Sequence, residues 1–404
     1  MSEAPLAGLR VVEFAHMVMG PTAGLILGDL GADVVKVEPM PAGDNTRRLT
    51  GSGIGFFTMT SRNKRSLMLD LKSEQGAEIA RRLIGQADVL TENFRPGALD
   101  RLGLGHQSCA ALNPRLIYCS LKGFLPGPYE NRTALDEVVQ MMGGLAYMTG
   151  PVGQPLRAGA SVIDIMGGTF GVVGILAALA ERERTGKGQR VQSGLFESVA
   201  LLMAQHMAQE AITGTPPRPM SARDVAWPVY DIFETVDGQK IFVAAVTDTQ
   251  WQTLCAEFRL DALAADPALG TQAARRAARE RTIPVIAEAL RKLDRDDLCA
   301  RCERLGLPFA PINRPGDLFD DPHLNASGGL LDVTVPGGRS LRLPGLPLAF
   351  GASRPGLRRE PPHPGQDSAA ILGELGYDAA EIEALVAGGI VAQRVDQDEA
   401  APPA

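Results

Sequence analysis

"LRVVEFAHMVMGPTAGLILGDLGADVVKVE", residues 9–38, decides the fold. "LRVVEF" from Leu9 is a short apolar run of strand length, "GPTAGLILGDLGA" from Gly20 has the length of a helix, and "DVVKVE" from Asp33 is a second strand. Strand, helix and strand in this order predict a βαβ unit. "RSLMLDL", the helix-like "SEQGAEIARRLIGQ", "ADVLTEN" and "PRLIYCSL" continue the alternation. The expected fold class is therefore α/β, a Rossmann-like large domain around a parallel sheet.

A dinucleotide-binding domain begins the same way, and Glu38 closes the second strand where such a fold places its ribose-binding acid. The glycine fingerprint of that fold is missing. Instead Gly20, Gly24 and Gly28 recur every four residues, on one face of the helix, where they permit close approach of a neighbouring backbone.

Farther along, two helical runs, 161–184 and 191–209, flank "TGKGQ", and Gly186 supplies the stop between them. "TGKGQ" lacks the leading glycine of a phosphate loop and the Ser or Thr after Lys187 that would hold magnesium, so it reads as a turn. Residues 206–226 end in a proline-rich polar stretch and form a linker. A composition shift follows. "VYDIFETVDGQKIFVAAV" is a hairpin turning at Asp237 and Gly238, and amphipathic runs at 249–258, 283–293 and 296–305 complete a smaller α+β domain over 227–322. Arg275, Arg276, Arg279 and Arg281 read as a solvated helix face. A second Pro/Gly-rich linker covers 323–365. Two short helices in 366–394 return to complete the large domain of residues 1–205, and the acidic tail 395–404 is expected to be disordered.

With 404 residues, 45% hydrophobic and 22% charged, the chain has the composition of a soluble two-domain protein. Its net charge of -7 argues against nucleic acid as a partner. The N-terminus has no basic segment followed by an apolar one, so the expected location is cytoplasmic. The apolar run Ile163–Ala180 approaches membrane-spanning length, but Asp164, its glycines and the charged turn after it fit a buried core helix, and no membrane partner is expected. Five scattered cysteines fit a reducing compartment without a disulfide framework, and Cys299 and Cys302 read as neighbours on one helix. The five histidines show no metal-ligand spacing, so no metal site is expected.

Asp164, in "GASVIDIMGG", is the lone carboxylate of that apolar run. Two readings stand on the residues alone. Ser161 and Asp164 are in S-x-x-D order before an apolar helix, close to a capping box. Equally, a carboxylate in a first helical turn feels the helix dipole and free N–H groups, which favour an ionised, nucleophilic form. Gly167 and Gly168 would leave room for a substrate or serve helix packing.

The ordered set "LAGLRVVEF", "LGDLGADVVKVEPMPAGDNTR", "NKRSLMLDLKSEQG", "ENFRPGALDRLGL", "NPRLIYCSLKGF", "GASVIDIMGG" and "ERERTGKGQRV" resembles the class III CoA-transferase family. That family contains formyl-CoA, carnitine and small-dicarboxylate CoA-transferases, with α-methylacyl-CoA racemases as relatives. The match spans most of residues 6–200, and "DPHLNASGG" with "ILGELGY" is a weaker one. The resemblance implies that Asp164 is a covalent nucleophile that accepts CoA as an aspartyl thioester, with no metal and no tightly bound cofactor. It implies CoA contacts at Val18, Met19, Leu69 through Lys72, Asn93, Phe94, Arg95 and Arg101. Cations beside an aromatic and an amide suit the phosphates and adenine of that substrate. It also implies an interlocked homodimer of ring-like subunits, and acyl-CoA with small, mainly dicarboxylic, acids as substrates.

Three departures bear on function. Pro39 follows Glu38 where many relatives carry an arginine that contacts the coenzyme. No glycine-rich active-site loop lies between Pro216 and Tyr230, which argues against a formyl-CoA and oxalate pair. Leu135 precedes Asp136 where the racemases place a histidine, so one of two acid–base groups for proton exchange is missing. Asp136 itself either lines the site or caps the helix that follows it.

Overall fold

The computed structural model describes residues 4–223, 225–351 and 354–394. The acidic tail 395–404 lies outside the described residues. The chain divides into two units. The larger runs to Ser221 and resumes at Pro322, and the smaller is Ala222–Asp321.

The larger unit is built on a seven-stranded sheet. Its strands are β1 (Arg10–Phe14), β2 (Asp33–Pro39), β3 (Lys64–Leu69), β4 (Val89–Glu92), β5 (Ile117–Lys122) and β6 (Arg190–Gly194), joined by a C-terminal Val391–Ala392 strand. β1 pairs in parallel with β2 on one side and β4 on the other, and in this sheet, among the described residues, only the Val391–Ala392 strand, against β3, is antiparallel. The period of two sorts the side chains. Val12, Phe14, Val35, Leu67 and Leu90 face a core closed by the helices Glu74–Gly85, Ser368–Glu374 and Ala379–Ala387. Val11, Val34, Val89, Ile117 and Cys119 face the first helix, Met19–Asp29, and the long helix Val162–Thr185. The connections diverge from β1, so the carboxyl ends of β1 and β4 frame a crevice at the switch point of the sheet.

Charged residues interrupt the apolar strands where β1, β2 and β3 pass under the first helix. Glu13 accepts from Lys64 at 2.7 Å and Lys36 at 3.3 Å, and all three side chains are at most 2% exposed. Gly24 makes room for this cluster, because a Cβ there would lie 1.7 Å from Glu13 Oε2. Of the glycine face read from the sequence, Gly24 thus meets a buried ion cluster, Gly20 meets the side chains of Ala15 and Asn93, and Gly28 meets the backbone of Asn63. Glu38 is buried as well. Its oxygens accept from Arg47 Nε at 2.7 Å, Ser66 Oγ at 2.7 Å and the Asp44 N–H at 2.8 Å, which leaves it no ribose to bind.

Several expectations need correction. The run 191–209 is not one helix: Arg190–Gly194 is a strand at the edge of the sheet, in register with β5 from Tyr118↔Arg190 to Lys122↔Gly194, and the helices Leu195–Leu202 and Ala204–Thr213 follow. Five residues are too few to separate a helical from a strand period, and pairing with β5 decides. The linker 206–226 therefore begins inside a helix. The described residues of 323–365, which are 323–351 and 354–365, are also structured. They hold a hairpin, Leu330–Thr334 against Ser340–Pro344, and then run back to Asn63, which accepts from the N–H groups of Arg358 at 2.7 Å and Arg359 at 2.9 Å.

The smaller unit is a three-stranded sheet, Val229–Glu234, Lys240–Ala245 and Phe309–Pro311, packed against helices that include Asp248–Glu257, Arg279–Leu290 and Arg295–Leu305. The arginines here are not all solvated. Arg275 is buried over the Trp251 ring, 5.3 Å from its centroid, and pairs with Asp248. Arg279 donates to the Trp227 and Pro228 carbonyls at 3.0 and 2.7 Å. Cys299 and Cys302 are free and sit against the apolar core of this unit.

Candidate active site

Asp164 is the third residue of the long helix Val162–Thr185, a segment long and apolar enough to cross a membrane by length and composition. In the structure that helix packs on the first helix and on β5 and β6. Ser161 stands at its N-cap but makes no side-chain capping bond. The cap comes from elsewhere. Asp136 Oδ2, at the start of the helix Asp136–Met142, accepts from the backbone N–H of Ile163 at 2.9 Å and of Asp164 at 3.1 Å. Asp136 therefore caps the long helix rather than the helix it begins, because a carboxylate satisfies the free N–H groups of a helix start wherever the fold presents it.

A small network holds Asp136 in place. Gln140 Nε2 donates to its Oδ1, and Arg157 Nη2 approaches the same oxygen at 3.4 Å. Gln140 Oε1 accepts from the Ala158 N–H at 2.9 Å, while Arg157 donates to the Ala158 and Ala160 carbonyls, both at 3.1 Å. The segment leading into Asp164 is stitched to the Asp136 helix by these bonds.

The Asp164 carboxylate is half-buried and has no hydrogen bond or ion pair among the described residues. Burial, then the neighbouring Asp136 charge, push its pKa up to about 7, against a smaller opposing pull from Arg157. The expectation that the helix start favours its ionised form is corrected here. The N–H groups that would have done so are spent on Asp136, whose negative charge adds to the cost of ionising Asp164. A half-buried carboxylate poised near neutrality and unpaired among the described residues has the character of a reacting group.

Gly167 and Gly168 lie one turn beyond Asp164 on the same face. A Cβ at Gly167 would sit 2.5 Å from Met19 Cε, and one at Gly168 would sit 2.6 Å from the Met19 carbonyl oxygen. Of the two roles open to them, these contacts make helix packing the structural one. They also bring Met19, at the start of the first helix, against the Asp164 helix.

The loop between β1 and the first helix forms the adjoining wall. Asn93, just past β4, clamps it by accepting from the His16 N–H at 3.1 Å and donating to the His16 carbonyl at 2.8 Å. The imidazole stacks on Phe94, ring centroids 5.5 Å apart. Met17 takes a left-handed φ of 64°. Val18 and Met19 are 1% and 3% exposed, so what they offer a ligand is mainly backbone.

Of the residues that the resemblance assigns to CoA, the fold gathers Val18, Met19, Asn93 and Phe94 at the carboxyl ends of β1 and β4. Leu69, 1% exposed, and the exposed Lys72 lie at the end of β3, two strands from β1. Arg95 and Arg101 are exposed on the segment after β4. Arg95 also lines a cavity of about 400 Å³ on the face of β5 and β6, whose walls include Ser120, Lys122 and Gln192 but not Asp164. No group of three or more His, Cys, Asp or Glu is placed to hold a metal ion among the described residues.

His16, Gln140 and Arg157 are site residues that sequence reading missed. A histidine two residues after a predicted β1 could have been found, since ligand groups collect at strand carboxyl ends. Nothing in their local sequence marks the other two.

Residues 6–368 match the family model described as CoA-transferase family III. The chain is 36% identical to the succinate–glutarate CoA-transferase of Agrobacterium fabrum, covering 92% of this chain and 96% of that one. It is 34% identical to the succinyl-CoA:mesaconate CoA-transferase of Haloarcula hispanica, covering 92% and 96%. Among solved structures it resembles a CAIB/BAIF family protein from Brucella suis, with a TM-score of 0.83 and 36% identity over 93% of this chain and 100% of that one. On the family model and these relatives, the chain belongs to CoA-transferase family III and is a CoA-transferase.

Proposed function

We propose that this enzyme moves CoA from an acyl-CoA donor to a small dicarboxylic acid through an aspartyl-CoA thioester on Asp164. The observation that carries the reading is the Asp164 carboxylate, half-buried, unpaired among the described residues and held near a neutral pKa on a helix packed against Met19, which follows β1. The names of the relatives support the substrate class, since they pair succinate or succinyl-CoA with glutarate or mesaconate.

The steps balance without an external acid or base. An Asp164 oxygen attacks the donor's thioester carbonyl and expels CoA thiolate, leaving a mixed anhydride. The thiolate attacks the Asp164 carbonyl carbon, and the donor acid departs as a carboxylate. The acceptor carboxylate then attacks the aspartyl thioester and expels the thiolate again. Attack of that thiolate on the acceptor carbonyl forms the new acyl-CoA and restores the Asp164 carboxylate. Holding the partners together supplies most of the acceleration, since well-oriented intramolecular reactions gain about 7–11 kcal/mol.

In this reading CoA runs along Val18, Met19, Leu69 to Lys72, Asn93, Phe94, Arg95 and Arg101, and the enzyme works in the cytoplasm as an interlocked homodimer. Support for assembly is the apolar surface left open on the single chain. Phe170, Val173 and Leu176 are 40%, 54% and 37% exposed on the long helix. A racemase is disfavoured because Leu135, 61% exposed, stands where a second acid–base group is needed.

Mass spectrometry of the protein mixed with succinyl-CoA and a panel of other acyl-CoA donors tests the proposal. A CoA adduct on Asp164, absent from Asp164→Ala, is expected. Undiminished transfer by Asp164→Ala would falsify it, and α-deuterium exchange without an acceptor acid would favour the racemase.

A further inference from the structure

The loop that joins β1 to the first helix is held in a conformation it would not choose. Met17 is a non-glycine residue at φ 64°, a state that costs about 1–3 kcal/mol and persists only where the surroundings over-determine it. Three anchors do so here. Lys36 Nζ donates to the Ala15 carbonyl at 2.5 Å, Asn93 holds both polar groups of the His16 backbone, and Thr46 Oγ1 accepts from the Met17 N–H at 2.9 Å.

The third anchor is itself wired into the sheet. The Thr46 hydroxyl donates to Asp44 Oδ1 at 2.7 Å, and Asp44 Oδ2 pairs with Lys36 at 2.8 Å. Lys36, Asp44 and Thr46 are 1%, 4% and 2% exposed, so these bonds are sheltered from water. Burial opposes charge on Asp44, yet Lys36 and the Thr46 bonds hold its carboxyl below the usual carboxylate range. The hydroxyl is therefore oriented: its proton goes to Asp44 and its lone pair to Met17.

Two residues after Met17 the chain enters the first helix at Met19. The Met19 side chain and carbonyl are the atoms that meet Gly167 and Gly168, on the face of the long helix that carries Asp164. A displacement of Met17 is passed through Val18 to this contact, where there is no slack.

We infer that Thr46, oriented by Asp44 and Lys36, is a positioning residue that sets the geometry of attack at Asp164 by fixing the backbone of Met17. This rests on Asp164 being the nucleophile. The hydroxyl makes no bond to Asp164 or to a residue of the proposed coenzyme path, but Val18 and Met19 belong to that path, so the rate of the covalent step is expected to fall more than coenzyme affinity does.

The test uses the full chain with succinyl-CoA, or whichever donor the adduct screen selects, in single-turnover mass spectrometry of the Asp164 adduct, with CoA affinity and melting temperature measured alongside. Thr46→Val keeps the shape and loses the hydroxyl; it is expected to slow adduct formation at saturating donor about tenfold, with a smaller change in the Kd for CoA. Thr46→Ser keeps the hydroxyl and is expected to restore the rate to within about twofold of wild type. Wild-type rates in a folded Thr46→Val protein, or a Thr46→Ser protein as slow as Thr46→Val, would overturn the inference. If the wild type itself forms no adduct on Asp164, the proposed nucleophile fails, which is a separate result.

Discussion

Asp136 caps the helix that carries Asp164, with Asp136 Oδ2 3.1 Å from the Asp164 backbone nitrogen. One carboxylate thereby places the other and also opposes its ionisation. Substitution by Asn separates the two effects in part: its amide oxygen can still accept from the Ile163 and Asp164 N–H groups without a charge, while its NH2 group then faces the donors Gln140 Nε2 and Arg157 Nη2.

Asp136→Asn is expected to lower the pKa of Asp164 from about 7 while leaving it above the ordinary carboxylate value, since burial, the larger cause, remains. The acidic limb of the pH profile for adduct formation should move to lower pH. A limb that stays in place would mean that the Asp136 charge is not felt at Asp164.

Asp164→Asn should stabilise the protein on the alkaline side. The unfolded chain ionises this group near pH 4 and the folded chain near pH 7, so wild-type stability falls as pH rises between the two and the cost is full above about 7. The amide removes that cost. Its advantage should be negligible at pH 3.5 and reach about 1–3 kcal/mol at pH 8, read from urea denaturation. Equal stability of the two proteins at pH 8 would contradict the raised pKa.

Gly168→Ala should damage both stability and chemistry. The added methyl would lie 2.6 Å from the Met19 carbonyl oxygen and 3.0 Å from Thr22 Cβ, and helix backbones cannot yield as a flexible side chain can. A loss of about 1–3 kcal/mol is expected, with slower adduct formation on Asp164. Wild-type stability would show that the two helices can part without cost.

Val173→Glu probes assembly. Val173 is 54% exposed on the single chain, between Phe170 and Leu176 on the outer side of the long helix. If a second copy covers this face, the wild type should sediment as a dimer and the variant as a smaller species. A monomeric wild type would remove the dimer from the proposal.

Much of the fold is legible in residues 9–122, because strands of a parallel sheet covered on both faces are short apolar runs separated by helices, and both patterns are local. β6 was not legible, since Arg190–Gly194 joins a helical run and becomes a strand only through β5. The buried ions were hidden for a related reason: Glu13, Lys36 and Lys64 look like surface residues until three strands bring them under Gly24.

The sequence by itself determined where the candidate nucleophile stands. A lone carboxylate at the head of an apolar helix, within an ordered set of family motifs, points to Asp164 without coordinates. Its chemical state was decided by tertiary structure. The residue that caps its helix and opposes its charge is 28 positions away, and the Met19 wall beside it comes from the other end of the sheet-forming segment. A pKa depends on burial and on charges within a few ångströms, and neither quantity is a property of neighbours along the chain.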